Sequence, residues 1–368
     1  MKTTFPDYDH CITAIPNSIL KHFGAEEGRK TSALLDSCLK KEYENIVVLL
    51  LDGMGKRIID RNLDREGFFQ RHLKGVYSSV FPPTTVAATA SMLSGRNPCE
   101  HGWLGRDCYF PQIDRNVTVF SNKETDTGLP AADYPVASRY CGYEDIVQRI
   151  NRICGKETAY YAAPFAAPYP KTFEDVTGRI AGLCSRPGRK FIYAYWNEPD
   201  WTMHRKGCHS EASKALLREL EAKVEKMCGG LDNTLLLVTA DHGLMDSECV
   251  TIEDYPKLLV CLVRLPSIEP RALNLFVKPE KKERFLNEFQ KEFGEKFLLL
   301  SKEEVIQRQL FGLGKEHPSF RNMLGDYLAV AVSDLTIYRT KEEVDTIIAV
   351  HAGLTEAEME IPLIIVEK

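Results

Sequence analysis

The sequence predicts an α/β protein with a mostly parallel central sheet, and three observations carry that prediction. The segments "NIVVLLLDG", "KFIYAYWNEPD" and "TLLLVTADHG" are continuous apolar runs, the pattern of strands covered on both faces. Each run ends in carboxylates or imidazoles: Asp52, then Glu198 and Asp200, then Asp241 and His242. Between the second and third, "SEASKALLRELEAKVEKMCGGL" places apolar residues at helical spacing and stops at glycines, as a crossover helix in a βαβ unit does. Open α/β sheets gather their chemistry at the carboxyl ends of strands. Three runs that end in potential ligands therefore argue for one site.

Taken in order, the first run has Ile46 to Leu51 unbroken, with Asp52 at its end and Gly53 and Gly55 providing the turn. After residue 250 the texture changes. "RALNLFVK" reads as a strand, "PEKKERFLNEFQKEFG" as a helix with proline near its start, "KFLLL" as a strand and "KEEVIQRQL" as a helix. "DYLAVAVS" and "IPLIIVEK" read as strands that return to the main sheet. The expected organisation is a catalytic core over 1–254, a smaller α/β cap inserted over 255–325, and closing core elements over 326–368.

Composition removes several classes. A chain of 368 residues holds one large domain with an insertion or two ordinary ones. Hydrophobic residues at 44% and charged residues at 27% describe a folded globular protein rather than a disordered one. The net charge of -5, with no long Lys/Arg run, offers no global attraction for phosphate backbones, so no polymeric nucleic acid is expected as partner. No run of about 18 apolar residues suggests a membrane span, so no membrane insertion is expected. The opening "MKTTFPDYDHCITAIPNSILKHFG" lacks the continuous apolar centre of a secretory signal. Eleven scattered cysteines, odd in number and without a CxxC pair, read as free thiols, and a cytoplasmic location is expected.

The chemistry-bearing residues fall at these strand ends. Asp200 and His204 are four apart and share a face on one helical turn. Carboxylate oxygen with imidazole nitrogen suits zinc and related divalent ions. Asp241 and His242 are adjacent and converge only where the strand ends and the backbone turns. His351, in "VHAGLTEAEMEIPLI", begins another glycine turn and is placed to complete a centre. In "VFPPTTVAATASMLSGRNPCEHGWLGR", Thr84 and Thr85 precede a helical run. A threonine there is either a helix N-cap or a nucleophile at a helix terminus suited to phosphate. Both residues remain candidates on spacing alone. Tyr109, Phe110, Trp196 and Trp201 are candidate pocket walls, while Phe311, His317, Phe320 and Arg321 are read as packed cap residues with surface polar groups.

"LLLDGMG", "FPPTTVAATASMLSG", "EPDWTMH", "TADHG" and "HAGLTEAEMEIPL", in that order over residues 46 to 363, resemble the alkaline phosphatase superfamily. Within it the likeness is to the type I phosphodiesterase and nucleotide pyrophosphatase branch. The resemblance implies an alkaline-phosphatase-like fold and a nucleophile at Thr85. It implies one metal on Asp52, Thr85, Asp241 and His242 and a second on Asp200, His204 and His351. Two divalent ions are implied, zinc by preference, with manganese or mixed occupancy compatible with the donors. The implied activity is hydrolysis of a small phosphodiester or nucleotide pyrophosphate through a phosphothreonine. Phosphomonoester or phosphonate hydrolysis, and noncatalytic binding of a phosphate ligand, are the alternatives. One departure stands out: where the family places an asparagine, this chain has Arg106, which either takes over phosphate binding or turns to Asp107.

Overall fold

The computed structural model describes residues 2–25, 28–155, 157–344 and 347–368. Its main sheet has six strands: β1 (Asn45–Leu51), β2 (Leu73–Ser78), β3 (Ala159–Ala162), β4 (Lys190–Trp196), β5 (Thr234–Thr239) and β6 (Glu360–Glu367). The order across it is β2-β6-β5-β1-β4-β3. All seven residues of β1 are buried, as the unbroken apolar run requires of a central strand. Strand β1 pairs in parallel with β4 on one side and β5 on the other, with Leu51 opposite Trp196 and Leu50 opposite Thr239. That register delivers Asp52, the Asn197–Asp200 turn and Asp241 to a single sheet edge. Strand β6 alone runs antiparallel, between β2 and β5.

The crossover helix between β4 and β5 spans Glu211–Cys228, and the Ser210 side chain caps it by accepting from Ser213 N at 3.2 Å. Leu217, Leu220, Val224 and Met227 give it a buried stripe. "IPLIIVEK" joins the main sheet as expected.

"DYLAVAVS" does not. Its strand, Tyr327–Ala331, pairs with Ala272–Leu275 and Phe297–Ser301 in a second, seven-stranded sheet that is antiparallel throughout. This sheet continues through Ser267–Glu269 to three strands from far earlier in the chain, Asp107–Phe110, Arg115–Thr118 and Lys123–Glu124. Strand periodicity marks a buried strand but not its neighbours, and antiparallel partners need no particular sequence separation. One face of the second sheet is covered by the helix Lys282–Phe293, whose Phe285, Phe289 and Phe293 recur every four residues and pack with Leu273, Ala329 and Ala331.

The two sheets are joined through Arg271 and Glu358, both wholly buried. Arg271 Nε donates to Glu358 Oε1 at 2.6 Å and Nη2 donates to Oε2 at 2.9 Å. Removing one member of such a pair strands the other charge in a dry interior. Arg271→Met is therefore expected to lower the unfolding free energy by about 3–5 kcal/mol, read as a shift in the urea midpoint. An unchanged midpoint would show that the pair does not hold the sheets together.

Candidate active site

Asp52, directly after β1, is buried, and Gly53 turns the chain beneath it with φ +72°. That left-handed conformation favours glycine. A Cβ at Gly53 would also collide with Leu244 and with Asp200. The backbone N–H groups of Gly53 and His242 both donate to Asp241 Oδ1, at 3.1 and 3.0 Å. Asp241 Oδ2 is buried with no hydrogen-bond partner.

Asp200 opens the short helix Asp200–Lys206, and its N–H donates to the Asp52 carbonyl at 3.0 Å. His204 lies one turn on, its Nε2 3.2 Å from Asp200 Oδ1. That contact lacks hydrogen-bond alignment, and Asp200 Oδ1 is a second buried oxygen without a hydrogen-bond donor.

The three histidines share one arrangement. His204 Nδ1 meets Ala349 O at 2.6 Å, His242 Nδ1 meets Gly243 O at 3.1 Å, and His351 Nδ1 meets Pro83 O at 3.1 Å. A carbonyl oxygen only accepts, so each neutral ring carries its proton on Nδ1 and presents a bare Nε2 lone pair. The His242 and His351 rings stack with centroids 3.9 Å apart.

The two threonines separate. Thr84 Oγ1 donates to Glu269 Oε1 on the second sheet at 2.7 Å. Thr85 is the first residue of the helix Thr85–Ser94. Its Oγ1 lies 3.3 and 3.4 Å from the Asp52 carboxylate oxygens and 3.2 Å from His242 Nε2. The Tyr195 hydroxyl also donates to Asp52 Oδ2.

Electrostatics agree with the geometry. Burial, followed by the neighbouring Asp241 and Asp200, pushes Asp52 well above the usual carboxylate range. Burial also raises Asp200, but the facing His204, which Asp200 in turn helps to hold a proton when no cation is bound, outweighs it and keeps the carboxyl low. Burial, then His242, lowers His351 well below an ordinary imidazole. Carboxylates crowded at the floor of a cleft, two oxygens without partners and three imidazoles whose Nε2 is free of carbonyl contacts fit divalent cations. Two clusters are present among the described residues: Asp200, His204 and His351, and Asp52, Asp200 and His242, each with ligand atoms within 4.8 Å of one another. Asp200 belongs to both. Asp241 Oδ2 lies 3.5 Å from His242 Nε2.

The cleft over these groups encloses about 440 Å³ and is lined by Thr85, Arg106, Asp200, Arg205, Glu269 and His351 among others. A wider groove of about 920 Å³ adjoins it at Thr85. Arg106 Nε donates to Asp107 Oδ2 at 3.0 Å, and Nη2 lies 3.6 Å from Glu343. Trp201 lines the cleft and Trp196 the groove, whereas Phe110 is buried in the core and Tyr109 packs edge-on to Phe276. Phe311 and Phe320 are core residues, and Arg321 pairs with Glu316. Glu198 accepts from Thr202 N and Oγ1, and His209 meets Asn62.

Tyr195, Glu269 and Arg205 at the site escaped sequence reasoning. Tyr195 belongs to an alternating aromatic strand, which reveals packing but not which ring faces Asp52. Glu269 ends the three-residue strand Ser267–Glu269, too short and too polar to carry a strand signal in the sequence.

This fold and site define a metal-dependent hydrolase. The chain belongs to the type I phosphodiesterase / nucleotide pyrophosphatase family, whose model matches residues 46–351. Among solved structures it is similar to murine ectonucleotide pyrophosphatase / phosphodiesterase 5, at 17% identity and TM-score 0.66 over 86% of this chain and 87% of that one. The human counterpart aligns at 16% identity and TM-score 0.67, covering 87% of each chain. Phosphonoacetate hydrolase from Sinorhizobium meliloti 1021, in complex with phosphonoformate, aligns at 13% identity and TM-score 0.60 over 88% of this chain and 90% of that one. No curated protein sequence matches.

The cytoplasmic expectation is corrected by the first two of these, which are ectonucleotide enzymes by name. All eleven cysteines are free, and among the described residues no helix is long and apolar enough to cross a membrane, but neither property fixes a compartment.

The metal clusters make a direct prediction. After dialysis against a divalent cation, the protein should retain about two equivalents and His204→Ala about one, measured by elemental analysis. Two equivalents in the variant would remove His204 from the site.

Proposed function

We propose that this chain is a two-metal phosphoester hydrolase that cleaves a small phosphodiester or nucleotide pyrophosphate through a phosphothreonine on Thr85. The observation that carries this reading is the Thr85 hydroxyl, 3.2 to 3.4 Å from His242 and Asp52, while Thr84 is engaged by Glu269. An inactive threonine-to-alanine form of the murine phosphodiesterase 5 has been solved with AMP, which supports a threonine in this role.

Asp52, Thr85, Asp241 and His242 would hold one metal, and Asp200, His204 and His351 the other. Zinc suits this mixture of nitrogen and oxygen donors best, with manganese or mixed occupancy also compatible. When bound, the ions supply positive charge that favours the Thr85 alkoxide and offsets charge gathering on the phosphoryl oxygens.

The chain's own groups do the positioning. The helix that begins at Thr85 directs its free N–H groups and dipole toward an anion at the hydroxyl. Thr85 Oγ1 attacks phosphorus, a new P–O bond forms, and the bond to the leaving alcohol or nucleotide breaks on the opposite side. Water then attacks the phosphothreonine from the vacated side and Thr85 leaves. The two inversions give net retention at phosphorus. The contacts of Nδ1 with backbone carbonyls keep His204, His242 and His351 in one tautomer throughout.

Thr85→Ala is expected to lower turnover of bis-p-nitrophenyl phosphate by about 10³-fold or more, while Asp52, Asp241 and His242 suffice to keep the metal content. Turnover that survives the substitution would remove the covalent step. Run beside p-nitrophenyl phosphate, a nucleotide pyrophosphate and a phosphonate, faster cleavage of the monoester or phosphonate would displace the diesterase reading. Inactivity on all four with varied metals would leave noncatalytic ligand binding.

A further inference from the structure

The helix Asp200–Lys206 bears a second pair of residues beside its metal-facing one. Trp201 and Arg205 each follow a candidate ligand by one position, so they form a parallel stripe turned about 100° around the helix. The Arg205 guanidinium carbon sits 3.4 Å from the centre of the Trp201 ring, and Nη1 donates to Trp201 O at 3.2 Å. Both residues line the cleft that contains Thr85, Asp200 and His351.

The two cleft arginines differ in how their charge is met. Arg106 is engaged by Asp107 and lies near Glu343, and its backbone N–H donates to buried Glu269. Those carboxylates raise its affinity for its own proton against the effect of burial, and they occupy its charge. Arg205 makes no hydrogen bond or close ion pair with a carboxylate among the described residues; it stacks on Trp201 and only its charge reaches Glu198. The nearby Glu198 carboxylate accepts from Thr202 N and Oγ1 and makes no direct contact with the guanidinium. A guanidinium already held flat by an aromatic face loses little freedom when it binds an anion. Its stripe lies beside the groups that would hold the reacting phosphoryl, not among them.

We infer that Arg205 is a specificity-determining residue that reads a second anionic phosphoryl group adjacent to the one under attack. On this inference, which rests on the proposed hydrolase reading, the favoured substrate is a phosphoric anhydride with two neighbouring phosphates rather than an isolated diester. Arg106 instead braces the cleft wall.

The test compares wild type and Arg205→Gln, both metal-loaded, on diadenosine diphosphate and on bis-p-nitrophenyl phosphate. The ratio of kcat/KM for the anhydride to that for the diester is expected to fall at least about tenfold, mainly through KM, as for loss of one charge-assisted hydrogen bond. A smaller fall overturns the inference. Calorimetry on Thr85→Ala protein with a methylene-bridged diadenosine diphosphate should show the same loss of affinity when Arg205→Gln is added, and unchanged affinity overturns it. Wild type that cleaves the diester but not the anhydride overturns this inference alone. Wild type inactive on both overturns the hydrolase reading itself.

Discussion

The carboxylate of Glu358 is the knot on which the site depends. It accepts from Arg271 on the second sheet, from Gly353 N at 2.7 Å and from Thr355 Oγ1 at 2.6 Å. The backbone carbonyl of Glu358 accepts from Gly243 N at 2.9 Å. One buried residue thus fastens the turn after His351, the turn after His242 and the strand edge that carries Glu269. A buried ion pair adds little net stability, because desolvation offsets most of the attraction. What it specifies is placement: other registers of the two sheets would strand a charge. The metal-facing histidines are held by this constraint and not by the apolar core alone.

Around that frame the site carries an unbalanced charge. Asp52 and Asp241, both buried, are drawn together with the partly buried Asp200, and Asp241 Oδ2 and Asp200 Oδ1 lack protein donors. Such an arrangement is poor for stability and good for cation binding. The fold offsets it with the rigid parallel strands β1, β4 and β5, whose register fixes the carboxylates in place. The second sheet contributes Glu269, which engages Thr84 and leaves the Thr85 hydroxyl facing Asp52 and His242.

Much of this was legible in the residues. Continuous apolar runs identify central strands because burial on both faces demands them, and ligands at strand ends follow from the same geometry. Hence the residues alone place Asp52, Asp200 and Asp241 on one edge. The second sheet was not legible, because Asp107–Glu124 and Ser267–Ala331 carry no signal that they pair across such a separation. The strand Tyr327–Ala331 was assigned to the wrong sheet for that reason. Thr84 and Thr85 are equivalent as N-terminal residues and differ only through Glu269, a tertiary contact. Arg106 likewise turns on which carboxylates surround it. Compartment was misread because thiol count and hydropathy describe the chain and not its route through a cell.

The place of β6 has a consequence for how the molecule comes into being. Residues 360–367 lie between β2 and β5, yet they follow every other strand of that sheet in the chain. A nascent polypeptide therefore carries two unpaired strand edges until this segment emerges, a state open to aggregation and dependent on protection. His351 and Glu358 arrive only just ahead of it. Closure of the main sheet and the placement of His351 and Glu358 thus both depend on the last stretch of the chain, and neither can be complete before residues 360–367 are in place.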